Sequence, residues 1–157
     1  MTADTDRRES QVTGLARFIA AQDPVYAAVC AELSAGAKAS HWMWFVFPQL
    51  RELGRSAMAR HFGIVSRDEA RAYWLHPVLG QRLKHCTGLV LAVEDKSAFA
   101  IFGTPDDLKF RSCMTLFAQV APEEPVFEQA IAKFFNASFD ERTLALLRGV
   151  GLRPDEP

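Results

Sequence analysis

The sequence reads as an all-α fold, a single multihelical globular domain of about eight or nine short helices. Three observations support this. Apolar residues recur at three- and four-residue spacings in segment after segment, and no stretch alternates apolar with polar residues as a half-buried strand would. Proline and glycine fall where helices start and stop. No repeat, low-complexity tract or Gly/Ser-rich linker divides the 157 residues, a length ordinary for one domain. Residues 11–152 are expected to form the domain, with 1–10 as a disordered N-terminal tail and 153–157 as a frayed end.

The elements follow from their punctuation. Gln11 to Ala21 is the first helix. Asp23 is placed to cap the second, with Pro24 at its first position, Gly36 just past its end, and Val25, Val29 and Leu33 as its buried stripe. Ser40 precedes the run from His41 to Phe47, which Pro48 interrupts. Both faces of that run are apolar, so periodicity leaves helix and strand open. A short buried helix is expected because its neighbours are helical, with a small strand pair around Phe45 as the alternative.

Ser56 to Phe62 reads as a helix ending at Gly63, and Ser66 with Glu69 as a capping box for one running to about Leu75. His76-Pro77 breaks the chain before a longer helix from Pro77 to Val93. Ser97 to Phe102 is a short helix closed by Gly103, and Thr104-Pro105-Asp106-Asp107 starts one that runs to about Val120. Pro125 opens a helix striped by Val126, Phe127, Ala130, Ile131 and Phe134, and Asp140 caps the last, which carries Leu144 and Leu147.

Composition excludes several functions. With 49% hydrophobic and 24% charged residues, the chain is no natively unfolded inhibitor. A net charge of -1 supplies no global positive field, so strong nonspecific nucleic-acid binding is not expected, while a local pocket for one nucleotide stays open. Cys30, Cys86 and Cys113 form an odd set without a close pair, in apolar helical stretches, and read as reduced core thiols of a cytoplasmic protein. The polar N-terminus has no signal-peptide run, and the apolar run Trp42 to Phe47 is far too short for a membrane, so the chain is expected to be soluble.

Neither C-x-x-C nor H-E-x-x-H occurs, and His85-Cys86 are adjacent rather than spaced as ligands, so no metal is expected. The absence of a Walker loop, a G-x-G-x-x-G turn and a G-x-S-x-G elbow leaves no cofactor to expect.

The candidate site residues are charges on apolar arcs. Arg82 falls inside the arc of Val78, Leu79, Leu83, Cys86, Leu89, Val90 and Val93. Its permanent charge demands a carboxylate, carbonyls, an aromatic face or an anionic ligand. Asp106 and Lys109 fall within the arc of Phe110, Cys113, Met114, Leu116, Phe117 and Val120, with Asp107, Arg111, Thr115 and Gln119 opposite. They are neighbours on a first turn, placed either to pair with each other or to serve a ligand. Trp42 and Trp44 offer stacking surfaces for a base or plain core packing, with His41 and Gln49 as polar ends. His41 could transfer a proton or be a satisfied core histidine.

The segments Ala21-Gln22-Asp23-Pro24-Val25-Tyr26, Ser40 through Leu50, and His76-Pro77-Val78-Leu79-Gly80 with Arg82-Leu83 form a recognisable set. Ile101-Phe102-Gly103, Pro105 through Lys109, Arg111-Ser112 and Met114-Thr115-Leu116-Phe117 complete it. Over residues 14 to 148 they resemble a bacterial domain-of-unknown-function family whose members often carry the label "calpastatin". The resemblance implies a mainly helical fold. The label implies a disordered calpain inhibitor, which this composition contradicts.

A more distant likeness joins Lys109, Met114, Leu116-Phe117, Lys133-Phe134 and Leu144 to Leu147 to the NADAR group, helical N-glycosidases acting on ADP-ribose attached to a base. That group's acidic and glycine-rich ligand motifs are not matched, and no role is transferred from it.

Two functions compete. In the first, an anionic small molecule, nucleotide-like or ADP-ribose-like, is bound or hydrolysed in a pocket. Arg82, Lys109, Trp42, Trp44 and Gln49 would be its ligand-binding residues, with Asp106 and His41 as catalytic candidates. In the second, the same charges pair internally and the protein is a non-catalytic protein-interaction or dimerisation module. Convergence of Arg82, Asp106, Lys109 and His41 on one cleft favours the first; separate, self-satisfied pairs favour the second.

Overall fold

A computed structural model describes residues 14–149; the expected tails 1–10 and 153–157, and both ends of the expected domain 11–152, lie outside the described residues. The described chain is all-α, with ten helices and one 3-10 turn against the eight or nine helices expected. Helix α1 covers residues 14–22. It is followed by α2 (Tyr26–Ser34), α3 (Met43–Val46), a 3-10 turn (Arg51–Leu53), α4 (Ala57–His61) and α5 (Arg67–Leu75). Then come α6 (Leu79–Leu91), α7 (Ala98–Phe102), α8 (Asp106–Val120), α9 (Val126–Phe135) and α10 (Glu141–Leu147).

Caps form where a short oxygen-bearing side chain precedes an apolar run, at the expected Ser66 and Asp140 and also at Ser56 and Ser97, which the sequence places as first residues of their helices. Ser56 accepts from the Ala59 amide, Ser66 from Glu69, Ser97 from Ala100 and Asp140 from Thr143. Two other starts differ from expectation. Helix α2 begins at Tyr26 without a side-chain cap, because Asp23 is drawn 2.9 Å from Arg82 and Asp23–Val25 forms a turn. Ser66 and Glu69 make half a capping box, since Glu69 Oε1 accepts from the Val65 amide at 3.0 Å.

The aromatic run folds as the buried helix α3, and the strand alternative around Phe45 is not realised; an isolated parallel bridge joins Leu50 and Ile64. Helix α8 runs through the centre, packed against α5, α7, α9 and α10. Its Phe110 stacks on Phe102 at 4.7 Å and meets the edge of Phe47 at 5.0 Å. Its Phe117 lies 5.4 Å from Tyr73, which in turn packs edge-on to Phe18 at 5.1 Å. One aromatic chain thus links α1, α5 and α8, adding specific ring geometry to area burial.

Thr115, expected on the outer face of α8, is fully buried. The segment leading into α10 covers that face: Thr115 Oγ1 accepts the Asp140 amide at 2.9 Å, and Arg111 donates to Ser138 and Phe139. Where the chain turns from α5 into α6, a side chain on Gly80 would place its Cβ 2.0 Å from the Trp74 carbonyl oxygen, so only glycine fits. Among the described residues no helix is long and apolar enough to cross a membrane.

Candidate functional site

The expected site residues fall into separate groups. At the start of α8, Asp106 holds Lys38 Nζ at 2.9 Å and Lys109 Nζ at 3.8 Å. Lys38 is only 8% exposed, and its ammonium also donates to Ser40 O at 2.7 Å and lies 5.0 Å over the Trp42 ring. Lys109 lies 5.7 Å over the half-buried Trp44 ring, where Trp44, Gln49 and Lys109 border a niche of about 10 Å³, room for roughly one water. Trp42 is 1% exposed, leaving no open ring face, and His41 sits at the surface.

Beneath this group Glu32 gathers the chain. It accepts from the Ala39 and Ser40 amides, Ser40 Oγ and Trp42 Nε1. Partial burial alone would raise its carboxyl pKa, but these four donors hold it at about 2. Neither Glu32 nor Lys38 stands out in the sequence, Glu32 being a single charge near the end of α2 and Lys38 one in a loop of small residues; the signal that could have found them is the need of Trp42 and Asp106 for partners.

Arg82 belongs to a different group. It pairs with Asp23 at 2.9 Å, donates to Gln22 Oε1 at 3.2 Å and lies 4.6 Å over Tyr26. Gln22, 2% exposed, uses its amide nitrogen on Phe45 O at 2.7 Å and Tyr73 Oη at 3.1 Å. Outside it, Tyr26, Gln81, Arg82 and His85 border an open hollow of about 410 Å³. Asp106, Lys109, Trp42, Trp44 and Gln49 share none of these contacts.

Cys86 and Cys113 are poor nucleophiles. Burial pushes Cys86 up to about 12 and raises Cys113 well above its ordinary value, while Cys30 is half-buried. Among the described residues no group of three or more His, Cys, Asp or Glu side chains is arranged to hold a metal.

A third place was not among the expected sites. From residue 51 to 67 the chain carries Arg51, Arg55, Arg60 and Arg67 against the single acid Glu52, a local excess that the overall charge of -1 conceals. Arg51, Glu52, Arg60 and Val65 line a hollow of about 380 Å³. Glu52 and Val65 also belong to an adjoining hollow of about 240 Å³, completed by Leu50, Ser66, Arg67 and Leu146 to Gly149. Among the described residues none of Arg51, Arg55, Arg60, Arg67 and Arg148 takes part in an ion pair.

The wall of these hollows is braced from behind. Arg51 N donates to Ile64 O at 2.8 Å and Ile64 N to Gln49 O at 2.9 Å. Gly63 allows this approach, since a Cβ there would lie 2.4 Å from Arg51 Cα. Arg17 donates to His61 O at 2.8 Å, Gly63 O at 2.9 Å and Glu69 at 3.4 Å, and also to Gly14 O.

A comparison with curated proteins finds no match. Among solved structures the chain is similar to the conserved hypothetical protein Rv1873 from Mycobacterium tuberculosis, at 53% sequence identity and a TM-score of 0.84, over 85% of this chain and 96% of that one. The model of the family described as "Protein of unknown function (DUF1810)" matches residues 12–147. With that span covering nearly all of its length, the chain belongs to the DUF1810 family.

Proposed function

We propose that this protein is a non-catalytic interaction module. The observation that carries this is the division of the expected site: Arg82 is neutralised by Asp23, and Asp106 by Lys38 and Lys109, in groups with no common contact. Acid–base or electrostatic catalysis needs its groups converging on one reacting centre. Charges already paired in place are instead structural, whereas Arg51, Arg60 and Arg67, which line the two adjoining hollows, take part in no ion pair among the described residues.

The competing function, binding or hydrolysis of a nucleotide-like or ADP-ribose-like molecule, draws support from the open hollow beside Arg82 and from Lys109 over Trp44. In it Arg82 and Lys109 would meet phosphate and Asp106 would orient water. Thermal shift with ADP-ribose and ADP separates the two. A ligand at a hundredfold its Kd stabilises by about 2.7 kcal/mol. For the module neither compound shifts the wild type, and Arg82→Ala lowers stability by about 1–3 kcal/mol through lost charged hydrogen bonds. A shift in the wild type that Arg82→Ala abolishes would overturn the module.

A further inference from the structure

We propose that the double hollow between residues 50–67 and the end of α10 docks an extended acidic segment of a partner protein. Arg51, Arg60 and Arg67 take its carboxylates, while Val65, Leu146 and Leu147 receive an apolar side chain between them. This rests on the interaction-module function and names the partner's chemistry.

Charge is the first reason. Arg17, Arg71, Arg82 and Arg111 are all held by carboxylates or carbonyls, whereas the arginines of the hollows make no ion pair among the described residues. A guanidinium's planar fork matches a carboxylate bidentately and is weakly hydrated, which suits interfaces. Shape is the second. The two hollows meet at Glu52 and Val65, so basic zones flank a shared wall that is acidic and apolar. Val65 is 54% exposed there, a β-branched apolar surface with no cover among the described residues.

That alternation selects the occupant. A compact polyphosphate would press its charge against Glu52 and gain nothing from Leu146 and Leu147. An extended chain spaces same-side residues by about 7 Å and can place a carboxylate on either side of an apolar residue. Preorganisation is the third reason, because the Leu50–Ile64 bridge and the Arg17 and Glu69 bonds to residues 61–65 fix the wall before any partner arrives.

The test is selection of a short random-peptide phage library on the full chain, followed by fluorescence anisotropy with the enriched peptides. Expected are sequences in which Asp or Glu flank an apolar residue, with binding that weakens as salt rises. Affinity should fall at least about tenfold in Arg51→Glu/Arg67→Glu and less in Arg60→Ala, both checked for wild-type melting. Enrichment without acidic residues, or binding untouched by charge reversal, overturns the proposal. So does inorganic pyrophosphate binding that the reversal abolishes while no peptide is enriched. So does light scattering that finds a dimer which the same reversal dissociates, since the occupant would then be a second copy. Failure here without a nucleotide shift moves the interaction surface elsewhere; a nucleotide shift removes the module function itself.

Discussion

Glu32 accepts four hydrogen bonds from the four-residue stretch Ala39 to Trp42, and its carboxyl is held at about 2 against an ordinary 4.5. Because the folded value lies below the unfolded one, the stability it adds is complete above about 4.5 and is lost as the pH falls towards 2. Glu32→Gln should therefore be less stable than the wild type in urea at neutral pH, with the gap narrowing at about pH 3. A gap that stays constant with pH would assign the loss to shape rather than charge. At this scale the sequence exposes the problem and not its solution. A helical wheel puts Arg82 and Asp106 on apolar arcs, so that each must have a partner. Asp23 and Lys38 supply those partners from distant segments, and only the folded topology brings them near.

Helices are the units whose ends could be read most directly. Ser56, Ser66, Ser97 and Asp140 cap as their local chemistry dictates, since a cap is a contact over three residues. Asp23 departs from that logic because a tertiary partner outbids its local amides. Helix α6 carries two glycines of opposite meaning. Gly80 faces the Trp74 carbonyl oxygen, with 2.0 Å left for a Cβ, whereas nothing lies within 4 Å of a Cβ on Gly88. Gly80→Ala should cost at least about 2 kcal/mol by forcing α5 and α6 apart. Gly88→Ala should add up to about 1 kcal/mol through helix propensity alone. Thermal melting of the two variants side by side checks both, and equal effects would contradict the close approach of Gly80 to the Trp74 carbonyl. In the sequence the two look alike, because the turn at residues 76–78 that folds the Trp74 carbonyl against Gly80 is a matter of backbone conformation and not of glycine itself.

Over the whole molecule, averages hid what segments carry. A charge of -1 conceals the basic stretch from Arg51 to Arg67, and three cysteines on apolar stretches look alike although their surroundings differ. With Cys86 and Cys113 buried and their thiols pushed up by that burial, a thiol reagent should modify the native protein at Cys30 alone and all three after unfolding. Early labelling of Cys113 would mean that the core opens without global unfolding. The central position of α8 has a further consequence, for the freedom of this sequence to drift. Seven successive residues, Ser112 to Ala118, are buried on every side, so no position in that block can serve as a neutral site where variation accumulates. In a library of single substitutions, α9 should show tolerance rising and falling with the helical turn. The block in α8 should show a flat floor, with the small polar Ser112 and Thr115 as unforgiving as Phe117.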